Sequence, residues 1–134
     1  MKAIEELNLL DDVRYSADHE WAKTKGETVM VGISDYAQDQ LGDVIYVEFP
    51  PVGDSFEKDE EFGSVESVKA VSELFMPIGG EIVSVNTALE DSPELINTSP
   101  YGDGWMIEIK PADPTELDEL LTKDAYLEML KEDE

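Results

Sequence analysis

The chain has 134 residues, of which 33 are acidic and 9 are lysine or arginine, for a net charge of -24, so a nucleic-acid backbone or an anionic membrane would repel it. It has no cysteine, which excludes a disulfide, a cysteine-based metal site and a cysteine nucleophile. The length predicts a single domain over residues 1–134, burying about two-thirds of its unfolded surface in one core, and the charge predicts partners with basic or mixed surfaces, although solubility or adaptation to salt explains the same acidity without a partner.

The opening Met1-Lys2-Ala3-Ile4-Glu5-Glu6 lacks the basic, apolar and cleavage segments of a signal peptide and the arginine-rich character of a transit peptide. No apolar run approaches the ~20 residues of a membrane span. The cytoplasm is therefore the expected location. Residues 1–12 predict a peripheral segment, with a short helical turn over 3–10 that places Ile4, Leu7 and Leu10 on one side.

Residues 13–22 have a strand-like pattern and hold the only histidine, His19, between Asp18 and Glu20. Neighbouring side chains on a strand point to opposite faces, so His19 and Glu20 are not expected to share a site. Without a second histidine or a cysteine, a metal site is not expected here, and His19 and Trp21 are read as packing and hydrogen bonding against the sheet.

Residues 28–33 predict a branched, apolar strand leading into a short helix, with Ser34 as N-cap, Asp35 in the first turn and Gly42 as the stop. Residues 43–49 return to strand, ended by Pro50-Pro51. Val52-Gly53-Asp54 makes a turn before a strand over 62–68. Gly42-Asp43-Val44-Ile45-Tyr46-Val47 also matches Gly80-Glu81-Ile82-Val83-Ser84-Val85 as glycine, acid, two branched residues, any residue and valine. The two copies flank a central hairpin and suggest two similar half-sheets folded face to face.

That hairpin is Glu66-Ser67-Val68-Lys69-Ala70-Val71-Ser72-Glu73, which reads nearly the same in both directions. A two-residue loop at Lys69-Ala70 would set Val68 opposite Val71, Ser67 opposite Ser72 and Glu66 opposite Glu73. Two local rules are then broken. Lys-Ala lacks the residues that accept the positive φ of tight hairpin turns, and two glutamates face each other at a cost of a few tenths of a kcal/mol or more, roughly. Lys69 is also the lone cation between Asp59 and Glu90. Rule-breaking of this kind points to function at the tip, against the bland reading of a solvated lysine.

Residues 86–104 contain Pro93, Pro100 and glycine or asparagine turn signals and predict a loop, interrupted by brief structure at Leu95-Ile96. The last strand is expected over 105–110. A helical segment over 113–131 follows, started by Asp113 as N-cap, Pro114 at N1 and Glu116 at N3. Leu117, Leu120 and Leu121 share a face there, Thr122 caps a second short helix, and both helices are expected to cover the sheet.

Val65-Glu66-Ser67-Val68-Lys69-Ala70 resembles the lipoyl-attachment hairpin of the H-protein family of the glycine cleavage system. The resemblance extends through His19-Glu20-Trp21, Val31-Gly32-Ile33-Ser34-Asp35-Tyr36-Ala37-Gln38, Leu41-Gly42-Asp43, Pro77-Ile78-Gly79-Gly80-Glu81, Val85-Asn86, Leu95-Ile96-Asn97 and Gly102-Asp103-Gly104-Trp105. It implies a mainly β fold, the flattened sandwich or barrel-sandwich hybrid of lipoyl and biotinyl carriers, with a short internal helix and helices at the C-terminal end. It implies lipoate amide-linked to Lys69 and a carrier rather than an enzyme. The aminomethyl group of glycine would pass from the pyridoxal-phosphate glycine decarboxylase (P protein) to the aminomethyltransferase (T protein). Dihydrolipoamide dehydrogenase (L protein) would reoxidise the arm, and a lipoate-attaching enzyme would install it.

The family further implies an arm cleft near Glu20, Ile33, Ser34, Gln40, Ala70 and Glu73, where carboxylates suit a cationic cargo amine. Gln40 stands where some members have histidine, and Gly79 where serine is frequent. Three alternatives remain open from sequence. One is a lipoyl-relay donor for other complexes, another an unmodified acidic binding module. The third is a biotin-type carrier, whose modified lysine usually lies between methionines, whereas Lys69 lies between Val68 and Ala70.

Overall fold

Two antiparallel sheets of unequal size face each other in the structure, a computed structural model that describes residues 4–132. Among those residues the strands are β1 (Arg14–Tyr15), β2 (Glu20–Lys25), β3 (Thr28–Ile33), β4 (Val44–Glu48) and β5 (Ser55–Phe56). Then follow β6 (Glu61–Ser67), β7 (Val71–Phe75), β8 (Gly80–Val85) and β9 (Ile107–Pro111). The larger sheet has the order β1-β2-β3-β9-β8-β5, and the smaller has β4-β6-β7. Strand alternation sends Val47, Val65 and Leu74 of the small sheet into one core with Val31, Ile82 and Ile107 of the large one. Each such buried side chain stabilises the fold by about 1.5–3 kcal/mol, and this shared core is what keeps the sheets face to face. The expected flattened sandwich is therefore present. The two matching glycine-acid segments fall in different sheets, β4 and β8, but the half-sheets are not alike, with three strands against six.

Local signals explain the short helix between the sheets. In α1 (Asp35–Leu41) Ser34 Oγ accepts the Ala37 N–H at 3.2 Å, satisfying one of the orphan donors of the first turn. Gly42 ends the helix at φ +77°, its N–H donating to the Gln38 carbonyl at 3.1 Å, a backbone conformation that favours glycine. Between β8 and β9 the predicted loop holds two single-turn helices, α2 (Ala88–Asp91) and α3 (Leu95–Thr98). The second matches the expected brief structure at Leu95-Ile96; the first, like β5, carried no recognisable periodicity.

The segment 13–22 is not one strand. β1 is short, Ser16 to His19 form a turn closed by the His19 N–H on the Ser16 carbonyl, and His19 stands at φ +74° before β2 begins. The ring of Trp21 lies across Gly32, its register partner on β3, so closely that a Cβ there would sit 2.8 Å from the indole. Its Nε1–H donates to the Pro100 carbonyl at 3.0 Å.

A second apolar cluster of Val13, Tyr15, Trp21, Tyr126 and Leu130 joins the C-terminal helix to the outer side of the large sheet. Ile4, Leu7 and Leu10 of the N-terminal segment pack against it, with Ile4–Glu6 in a 3-10 turn. The Asp113 carboxylate accepts the Thr115 N–H at 3.1 Å and its hydroxyl at 2.6 Å, and these bonds hold its pKa below the ordinary value. They start a 3-10 helix over Pro114–Glu119 rather than an α-helix. Leu120 is extended, which lets Leu121 exchange two 2.8 Å backbone bonds with Tyr15, and this bridge stops the turn. Thr122 then caps α4 (Lys123–Glu132), accepting the Ala125 N–H at 3.2 Å.

Candidate functional site

The hairpin of β6 and β7 carries Lys69 at its tip, exposed, as the symmetry of the sequence suggested, but in a different register. Glu66 faces Val71, Val65 faces Ser72 and Ser64 faces Glu73. Ser67 and Ala70 close the turn, leaving Val68 and Lys69 as its central pair. Glu66 and Glu73 are therefore not opposite each other, and no like-charge pairing needs compensation. No residue of the turn has positive φ. Instead Ser67 Oγ accepts the N–H groups of Ala70 at 3.1 Å and Lys69 at 3.3 Å, so hydrogen bonds to a hydroxyl fasten a turn that needs no glycine.

The tip is fastened from below. The Val68 N–H donates to the Asp43 carbonyl at 3.1 Å. The Lys69 side chain lies over Gly42, where an added Cβ would be 3.4 Å from Lys69 Cε. Asn97 of α3 holds this loop, its Nδ2 donating to the Gly42 carbonyl at 2.8 Å and to Gln38 Oε1 at 3.0 Å, its Oδ1 accepting the Val44 N–H at 2.9 Å.

Beside the hairpin lies a cleft of about 310 Å³ lined by residues of β2, β3, α1, β6 and β7. Glu20, Ile33, Gln40 and Glu73 line it. Ser34 is fully buried behind it, spent on capping α1 and on a 2.8 Å bond with the Tyr126 hydroxyl. Ala70 stays on the hairpin, exposed and outside the lining. Glu20 is only 2% exposed. Its Oε1 accepts the Ser16 hydroxyl at 2.8 Å, and its Oε2 lies 3.5 Å from the Phe75 N–H on the outer strand of the small sheet. Burial pushes its pKa up to about 8, with the nearby Asp18 charge adding and the Ser16 bond opposing, so at neutral pH its carboxyl is largely protonated.

His19 lines the same cleft as Glu20, contrary to the strand-based expectation. The reason is its positive φ, which breaks the alternation between neighbours. Its Nδ1 lies 2.8 Å from the Tyr126 hydroxyl and its ring packs on Tyr36 at 4.8 Å, so it packs and hydrogen-bonds as expected, but against helices α4 and α1 rather than against the sheet. Burial raises the Tyr126 pKa, so its hydroxyl stays neutral. Sequence reasoning missed Tyr36, Ala37, Leu41, Ser72 and Leu74 as lining residues. A signal was present, because Tyr36, Ala37, Gln40 and Leu41 occupy one helical face and Ser72 and Leu74 one strand face.

Residues 13–133 match the model of the family described as glycine cleavage H-protein. The chain is 55% identical to the glycine cleavage system H protein of Bacillus licheniformis, over 91% of this chain and 96% of the relative. It is 53% identical to that of Anaeromyxobacter sp. (strain K), over 96% and 100% of the two chains. A crystal structure of a glycine cleavage system H protein from Mycobacterium marinum aligns with a TM-score of 0.85 at 40% identity, covering 92% of this chain and 99% of that one.

Proposed function

The chain belongs to the glycine cleavage H-protein family, and on that premise we propose that Lys69 carries an amide-linked lipoyl group and that the whole chain acts as one carrier unit without catalysis of its own. The observation that carries this reading is the exposed Lys69 on a tip fixed by Ser67 and Asp43, beside a cleft of about 310 Å³. The residues present fit such a group. Ile33, Leu41, Val65 and Leu74 offer apolar walls, while Glu20, Gln40 and Glu73 offer polar ends.

Bound there, the dithiolane supplies a reducible disulfide that takes up the aminomethyl group of glycine and gives it up again. The chain's own contribution is positional. A stiff hairpin fixes where the arm is rooted, and an exposed lysine leaves it free to reach the proposed P, T and L proteins and the lipoate-attaching enzyme. Glu20, whose burial favours the protonated form, would lose its proton to solvent when a cationic amine comes beside it and then accept a charge-assisted hydrogen bond. An arm folded into the cleft would be shielded from water, the remedy against loss of a hydrolysable cargo.

The test is intact mass and tryptic mapping of protein from a lipoate-competent host, with Lys69→Arg alongside. The expected result is a lipoyl or octanoyl adduct on Lys69 alone, and a folded arginine variant that neither takes the adduct nor supports glycine–bicarbonate exchange with P protein. An adduct on another lysine, no adduct at all, or exchange retained by Lys69→Arg would refute the assignment.

A further inference from the structure

Tyr46 of β4, Glu66 of β6 and Val71 of β7 are direct cross-strand neighbours and form one row across the outer face of the small sheet. Tyr46 is 57% exposed, Val71 67%, and Val68, next to Lys69, 66%. Ile45, at the register shift of β4, is 50% exposed. Of the six exposed large hydrophobic side chains among the described residues, these four all lie on β4 or the hairpin, so the exposure is concentrated rather than scattered. The inward residues Val47, Val65 and Leu74 already anchor the same strands in the core, and the fold gains no burial from the outer row. The next register row, Glu48, Ser64 and Glu73, is acidic at both ends, and Asp43 stands exposed below the tip.

Resting on the lipoyl reading of Lys69, we infer that Tyr46, Val71 and Val68 form the seat of the enzyme that acylates this lysine, and that this enzyme meets them with an apolar strip flanked by basic side chains. Reach selects this partner. To form the amide, the Lys69 amine attacks the carbonyl carbon of an activated acyl donor, an acyl phosphate or thioester. The C–N bond forms, the leaving group departs with its electron pair, and a nitrogen proton is lost to solvent. That chemistry brings the enzyme's own active site to Nζ, so the enzyme has to cover the tip, where Val68 adjoins Lys69 and Val71 follows Ala70, and the row of Val71, Glu66 and Tyr46 continues that surface across the sheet. Enzymes visited by the finished arm are met from farther away and need no contact with the row. The carboxylates around the row favour a basic rim on the partner and disfavour an acidic one.

The experiment compares wild type, Tyr46→Ser/Val71→Ser, and a control, Val52→Ser/Val83→Ser, whose two sites are exposed elsewhere. Each is made as the full-length apo chain, with folding checked by circular dichroism. The kcat/KM for acylation by a purified lipoate-attaching enzyme is expected to fall about tenfold in the row variant and to be unchanged in the control. Once driven to full acylation, the row variant is expected to match wild type in glycine–bicarbonate exchange with P protein. Undiminished acylation of the row variant would overturn the inference. So would an equal loss in exchange, which would make the row a dock for the visited enzymes. Wild-type protein left unmodified at Lys69 would remove the lipoyl reading itself, an outcome visible before any variant is compared.

Discussion

Three hydrogen bonds join Ser67 and Ala70 across the hairpin turn: the Ser67 N–H donates to the Ala70 carbonyl at 2.8 Å, the Ser67 hydroxyl to the same carbonyl at 3.3 Å, and the Ala70 N–H returns to Ser67 Oγ at 3.1 Å. The same oxygen takes the Lys69 N–H at 3.3 Å, and Ser67 is buried. Ser67→Ala removes that acceptor and should cost about 1–2 kcal/mol, concentrated at the tip. Amide hydrogen exchange of Lys69 and Ala70 should speed up relative to β3 amides, with a small fall in the urea midpoint. Unchanged protection at both amides would show that the backbone alone sets the turn.

This serine also explains where the reading of the sequence went astray. The mirror symmetry of residues 66–73 put the centre between Lys69 and Ala70, a choice that counts side-chain types only. The hydroxyl one step from the tip captures two N–H groups, and the centre moves to between Val68 and Lys69. Helix α1 was legible because its cap Ser34 and its stop Gly42 act within a few residues. The turn before Glu20 was not, because nothing local announces that His19 takes positive φ; the half-buried ring meets Tyr36 and Tyr126, which come from distant parts of the chain. Gathering Glu20, Ile33, Gln40 and Glu73 around one cleft likewise depends on two sheets meeting, which no single stretch encodes.

Glu20 should make stability depend on pH. Its carboxyl is neutral in both states well below the ordinary pKa of 4.5 and charged in both well above the folded value of about 8. Between them the folded chain holds a proton that the unfolded chain has lost. Stability therefore falls as pH rises through that window, by up to about 1.4 kcal/mol per pH unit. Glu20→Gln keeps the shape and removes the titration. Urea unfolding of both proteins should show the variant gaining on wild type steadily from about pH 5 to about pH 8. A difference that is constant across that range would mean that the buried carboxyl titrates normally.

Association with the proposed partner enzymes should weaken as salt is added. A net charge of -24 draws the chain toward basic surfaces, and ions screen that attraction beyond about 8 Å at physiological ionic strength. The association rate should carry most of the effect. Binding to P protein that is flat with sodium chloride would assign the acidity to solubility.

Asn97 stands apart from the cleft lining and yet braces the loop beneath Lys69. Its side chain joins α3 to Gly42 and Val44, and Asp43 between them accepts the Val68 N–H. Asn97→Ala leaves the Gly42 carbonyl and Val44 N–H without this partner, at a cost of about 1–3 kcal/mol. The consequence beyond stability should be a looser tip, seen as faster exchange of the Val68 amide relative to amides in β3. Asn97→Asp is the informative companion. It keeps an acceptor for Val44, but sets a carboxylate against the Gly42 carbonyl and Gln38 Oε1, which Asn97 now satisfies as a donor. It should therefore loosen Val68 at least as much as alanine does. If both variants lost stability while Val68 stayed as protected as the β3 amides, the loop would be only a structural brace, and the position of the tip would be set by the hairpin itself.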